Sequence, residues 1–78
     1  MKGNKIISAL AIAKKYKLSY QTVNYYTNLG LLRVFESRGN KRFYNTKQVE
    51  VRLEEIGKLK RKGYPLRLIC QVLSRNAT

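Results

Sequence analysis

The sequence has no histidine, one cysteine and four acidic residues. With so few such groups, a His–Cys–Cys zinc set, a Ser–His–Asp triad or a cluster of metal-binding carboxylates cannot be assembled within one chain. No enzymatic activity, cofactor or metal is expected. Long hydrophobic runs are lacking too. The longest largely apolar, uncharged run, Ile6 to Ala13, falls far short of the ~20 residues that span a bilayer. No small-residue cleavage pattern follows it, which argues against a signal peptide. A lone cysteine cannot form an internal disulfide and suits a reducing cytoplasm.

Positive charge, by contrast, is abundant. Lys and Arg number 17 against the four acids, a formal net charge of +13 in 78 residues. A field of that sign attracts polyanions, and nucleic acid is the commonest in a cell. The length suits one small domain, placed here over 1–78. An apolar fraction of 44% argues against disorder.

Helical spacing opens the chain. Ser8 is an N-cap for a helix to Tyr16, on which Leu10 and Ala13, with Ala9, share a face and Ile12 lies beside them. Lys14 and Lys15 fall near its C-terminus, where cations suit the helix dipole. Lys17-Leu18 is a tight connector and Ser19 a second N-cap. Val23, Tyr26 and Leu29 then share the inner face of a helix from Tyr20 to Leu29, stopped by Gly30 at C′. The period changes from Leu31 to Tyr44. Leu31 to Phe35 and Arg42 to Tyr44 are β-prone runs around a turn at Arg38-Gly39-Asn40-Lys41, a hairpin signal. Asn45 with Gln48 resembles a capping box, and Val49, Leu53, Ile56 and Leu59 trace a third helix ended by Gly63. Pro65 suits N1 of a fourth helix with Leu66, Ile69, Val72 and Leu73 on its apolar face. The tail, Ser74 to Thr78, is left outside the regular elements. The expected fold is mainly α, a winged helix-turn-helix: helix-turn-helix 8–29, wing 31–44, helices 45–62 and 65–74.

Two short helices with a three-residue connector place the N-terminal part of the second in a major groove if the unit is a helix-turn-helix. Tyr20, Gln21, Thr22 and Asn24 face outward there and are the candidate base contacts. The same spacing fits a plain helical hairpin with a polar solvent face; the net charge favours DNA. Arg33, Arg38, Lys41 and Arg42 make the hairpin basic, suited to a DNA backbone or minor groove, although a solvated basic loop has the same composition. Lys58, Lys60, Arg61 and Lys62 both complement a helix C-terminus and add phosphate-binding charge. In the Tyr25-Tyr26 pair, Tyr26 falls in register with the core and Tyr25 is free to offer its hydroxyl to a phosphate. Cys70 is expected to be a partly buried structural thiol.

Ala13-Lys14-Lys15-Tyr16-Lys17-Leu18-Ser19 and Thr22 through Leu32, containing Tyr25-Tyr26 and Gly30-Leu31-Leu32, resemble the DNA-binding domain of the mercury-resistance regulator (MerR) family. Arg42-Phe43-Tyr44-Asn45 resembles that family's wing, and Leu59 to Leu66 its junction before the fourth helix. The resemblance covers roughly Ser8 to Leu73. It implies a bacterial winged-helix transcription regulator that binds inverted repeats as a dimer and distorts promoter DNA. Under it, Tyr25 and Lys60 touch phosphates, Arg42 is the wing arginine, and Gln21, Thr22 and Asn24 lie at the groove face. Ser19, Arg38 and Lys41 complete the expected phosphate contacts. The family usually has Arg where Asn24 stands and often a basic residue at Gln21, so the operator does not carry over. Its long dimerising helix has no counterpart before Thr78. The expectation is a monomer as this chain and a homodimer on double-stranded DNA or within a longer protein, cytoplasmic and nucleoid-associated. The rivals are an excisionase-type recombination directionality factor and a basic protein-interaction module.

Overall fold

The structure is a computed structural model and describes residues 5–76. The elements run β1 (Ile6–Ser8), α1 (Ala9–Tyr16), α2 (Tyr20–Asn28), β2 (Val34–Arg38), β3 (Lys41–Asn45), α3 (Thr46–Arg61) and α4 (Leu66–Asn76). The fold is mainly helical, with one small antiparallel sheet in the order β1-β3-β2.

Local chemistry sets the helix ends. The Ser8 hydroxyl accepts from the Ala11 amide at 3.1 Å and the Ser19 hydroxyl from the Thr22 amide at 3.0 Å, each satisfying an otherwise orphaned N–H. Asn45 Oδ1 accepts from the Gln48 amide at 3.0 Å. The return half of the expected capping box is not made: Gln48 Oε1 is buried without a partner among the described residues. Lys17 closes α1 in the left-handed region (φ 57) and Gly30 follows α2 at φ 84.

Four expectations need correction. Ile6 to Ser8 is a strand: Ile6 pairs with Asn45, Ile7 with Tyr44 and Ser8 with Phe43. That pairing and the Ser8 cap set the phase of α1, so Ala9 and Ile12 are buried while Leu10 is 60% exposed instead of lying in the core. Leu31 and Leu32 are not in a strand. Their amides both donate to the Tyr26 carbonyl, which ends α2 and folds this pair, each 1% exposed, into the core. Pro65 sits one position ahead of N1, its carbonyl accepting from the Ile69 amide at 3.0 Å, and α4 runs on through Asn76. Ala77 and Thr78 of the expected tail lie outside the described residues.

The core joins both halves of the chain: Ala9 and Ile12 of α1, Val23 and Tyr26 of α2, Leu31, Leu32, Tyr44 of β3, Val49 and Ile56 of α3, and Ile69 and Leu73 of α4. Tyr44 is fully buried, and its hydroxyl meets the Thr27 hydroxyl at 2.8 Å. Thr27 spends its own proton on the Val23 carbonyl (2.8 Å), so Tyr44 is the donor in that pair. This buried bond ties β3 to α2.

Candidate nucleic-acid interface

The N-terminal turn of α2 is open to solvent. Tyr20 is 43% exposed and Gln21 is exposed, while Thr22 and Asn24 are half-buried. The Ser19 and Thr22 hydroxyls lie 2.8 Å apart. Because Ser19 Oγ already accepts the Thr22 amide, it can turn its proton onto Thr22 Oγ1. That leaves the Thr22 proton for an outside acceptor. Tyr25 is 52% exposed and Tyr26 5%, the in–out split that their spacing predicts.

Beside this turn stands the β2–β3 hairpin. Its two-residue loop has positive φ at Gly39 (φ 60) and not at Asn40, the pattern of a type II′ turn with glycine first. Register slips between Val34 and Glu36, so Phe35 is the extra residue of a bulge and stands 54% exposed. Arg38 donates from Nε to Glu36 and lies over the Phe43 ring, 5.4 Å from its centroid. Lys41 and Arg42 are exposed and in no ion pair among the described residues.

A groove of about 200 Å³ joins the two parts. It is lined by Ser8, Ala9, Leu10 and Tyr20 on one side and by Asn40, Lys41, Arg42 and Phe43 on the other. Tyr20 of the expected base contacts and Lys41 and Arg42 of the expected phosphate contacts therefore share one surface. Arg38 belongs to the same hairpin with its Nε already engaged. Two expected contacts lie elsewhere. Tyr25 lines a cleft of about 680 Å³ between α2 and α4, with Leu29, Arg67 and Cys70 among its other walls. Lys60 lines a smaller one with Tyr16, Leu18 and Tyr26. Cys70 is half-buried and donates to the Leu29 carbonyl at 3.3 Å, consistent with a structural thiol.

Sequence reasoning missed Leu10, Asn40 and Phe43 in the groove and Arg67 beside Tyr25. The alternative stripe Ala9, Ile12, Ala13, Tyr16 at i, i+3, i+4, i+7 is the signal that would have turned Leu10 outward. Arg52 is removed from the free cations. It is held by Glu55 at 3.7 Å and donates to the Leu73 carbonyl at 3.5 Å, linking α3 to α4.

The chain matches the family model of MerR HTH family regulatory proteins over residues 8–76. It belongs to the MerR helix-turn-helix family. Members of this family are regulatory DNA-binding proteins and not enzymes. The match spans every element from α1 to α4. Comparisons with curated proteins and with solved structures gave no match. Among the described residues no helix is long and apolar enough to cross a membrane.

Proposed function

We propose that this chain is the DNA-binding domain of a bacterial transcription regulator and binds double-stranded DNA sequence-specifically in the cytoplasm, at the nucleoid. The N-terminal turn of α2 enters the major groove, with Tyr20, Gln21, Thr22 and Asn24 facing base edges. Gln and Asn suit adenine, while Thr and Tyr suit a thymine methyl or a phosphate oxygen. The β2–β3 hairpin acts as a basic wing on the backbone or in the minor groove. Ser19, Tyr25, Arg38, Lys41, Arg42 and Lys60 hold phosphates, which fix register without reading sequence.

The observation that carries this reading is the shared groove. Exposed Tyr20 at the start of α2 and the hairpin's Lys41 and Arg42, in no ion pair among the described residues, line one continuous surface in a chain of net charge +13. A polar helix end and a cationic hairpin side by side match the groove and flanking phosphates of a duplex.

The test is duplex affinity across a salt series. If about four to six cations contact phosphates, log K falls with log salt at a slope of about −0.9 per contact. A flat response, or affinity lost entirely to unlabelled non-specific competitor with no sequence emerging from a random pool, would defeat the proposal.

A further inference from the structure

Leu10 is the most exposed large apolar residue among those described, at 60%, although it lies between buried Ala9 and Ile12. It does not stand alone. The Tyr20 and Phe43 rings and Ala9 line the same groove, and Lys41 and Arg42 flank it. The Ser8 hydroxyl, also on the wall, accepts from the Ala11 amide and keeps its own proton to donate. The groove therefore offers apolar surface bordered by cations, with Ser8 and Asn40 as neutral hydrogen-bonding side chains that an acceptor oxygen can use. Base edges present mostly donors and acceptors, which an apolar wall would leave unpaired. A DNA strand's backbone has the matching alternation, a deoxyribose with hydrocarbon faces between two anionic phosphates. The first helix of a helix-turn-helix is also the one that crosses the backbone, and Leu10 is in the first turn of α1.

We propose that this groove seats one sugar–phosphate unit of a DNA strand, with the Leu10 side chain packed on the deoxyribose and Lys41 and Arg42 on the adjoining phosphates. The inference rests on the DNA-binding reading above and adds to it a positioning contact that is neither ionic nor base-specific. Tyr20 then serves twice, its ring completing the apolar wall and its hydroxyl reaching towards the bases.

The experiment measures affinity of the full 78-residue chain for two labelled duplexes, one of random sequence and one of alternating dG and dC, which has no thymine methyl. Leu10→Ser is expected to raise Kd about three- to tenfold on both, the loss of a few buried methyl and methylene contacts. The slope of log K against log salt stays that of the parent, because no charge changes. Leu10→Ala, which improves helix propensity, gives a similar loss. Leu10→Met, close in volume, stays within about twofold. Parent-like affinity for both Leu10→Ser and Leu10→Ala overturns the proposal. A loss confined to the thymine-containing duplex also overturns it, assigning Leu10 to a methyl group instead. If the parent chain itself binds neither duplex in a salt-dependent way, the DNA-binding reading fails, and this inference with it.

Discussion

Asn24 and Tyr25 are neighbours on α2, yet the fold gives them different surroundings. Asn24 is half-buried on the turn that leads to Tyr20 and Gln21, whereas Tyr25 opens into the cleft beside Arg67 of α4. An amide at a groove face can discriminate bases, while a phenol on a phosphate cannot. Asn24→Ala or Gln21→Ala should therefore cost about 1–3 kcal/mol on a duplex selected from a random pool and little on random DNA. Tyr25→Phe and Lys60→Ala should weaken binding to both by similar factors. Competition titrations of each variant against both duplexes measure this. An equal effect of Asn24→Ala on the two would place the N-terminal turn of α2 away from the bases. Tyr44 illustrates a different role for a tyrosine. It touches no DNA in this scheme, but its bond to Thr27 holds the hairpin against the helix it assists.

At the scale of elements, the hairpin depends on one backbone conformation. Gly39 takes φ 60 at the first position of its two-residue loop, with open space where a Cβ would point. The cost of a side chain there is conformational and not steric crowding by neighbours. Gly39→Ala should lower stability by about 1 kcal/mol, seen as a lower melting temperature, and should weaken DNA binding through a misaligned Lys41 and Arg42. The turn was visible in the sequence because Gly39-Asn40 punctuates two β-prone runs. All three N-caps were visible for a similar reason, since Ser and Asn act through their own backbone neighbours. Contacts made at long range were not. Ile6 to Ser8 is too short for its two β-branched residues to announce a strand and becomes one by pairing with β3. The Thr27–Tyr44 bond joins positions 17 apart in sequence, and the groove exists because α1 and the hairpin tip are folded together. The split between exposed Tyr25 and buried Tyr26 was legible from helix phase. The sharing of one groove by Tyr20, Lys41 and Arg42 was not.

Across the whole molecule, charge and core together bear on assembly. Among the described residues three of the four acids are paired, Glu36 with Arg38, Glu50 with Lys47 and Glu55 with Arg52, so little negative surface offsets the field. Ile69 and Leu73 of α4 are buried, and Leu66 packs against the core. Val72, expected on the same face, is half-buried and Leu68 is 40% exposed, so the core takes the Leu66, Ile69 and Leu73 stripe of this helix. The 78-residue chain is expected to be monomeric at micromolar concentration without DNA, since two copies of net charge +13 repel. It should hold a lone half-site weakly for want of a linked second one. Sedimentation equilibrium checks the first statement, and a stable dimer would refute it.

The place of β3 between β1 and β2 has a consequence for the order in which the molecule is made. Ile6 pairs with Asn45 and Ser8 with Phe43, so β1 is synthesised well before the strand it needs. Until β3 arrives, α1 and α2 lack the Tyr44 ring that fills their shared core and the hydroxyl that meets Thr27. The loop that must close is long, so its entropy is met before the sheet returns any contact. The α1–α2 pair therefore reaches its full core only with β3 in place. The surface shared by α1, α2 and the hairpin tip is complete only when the strand that carries Lys41 and Arg42 lies beside β1.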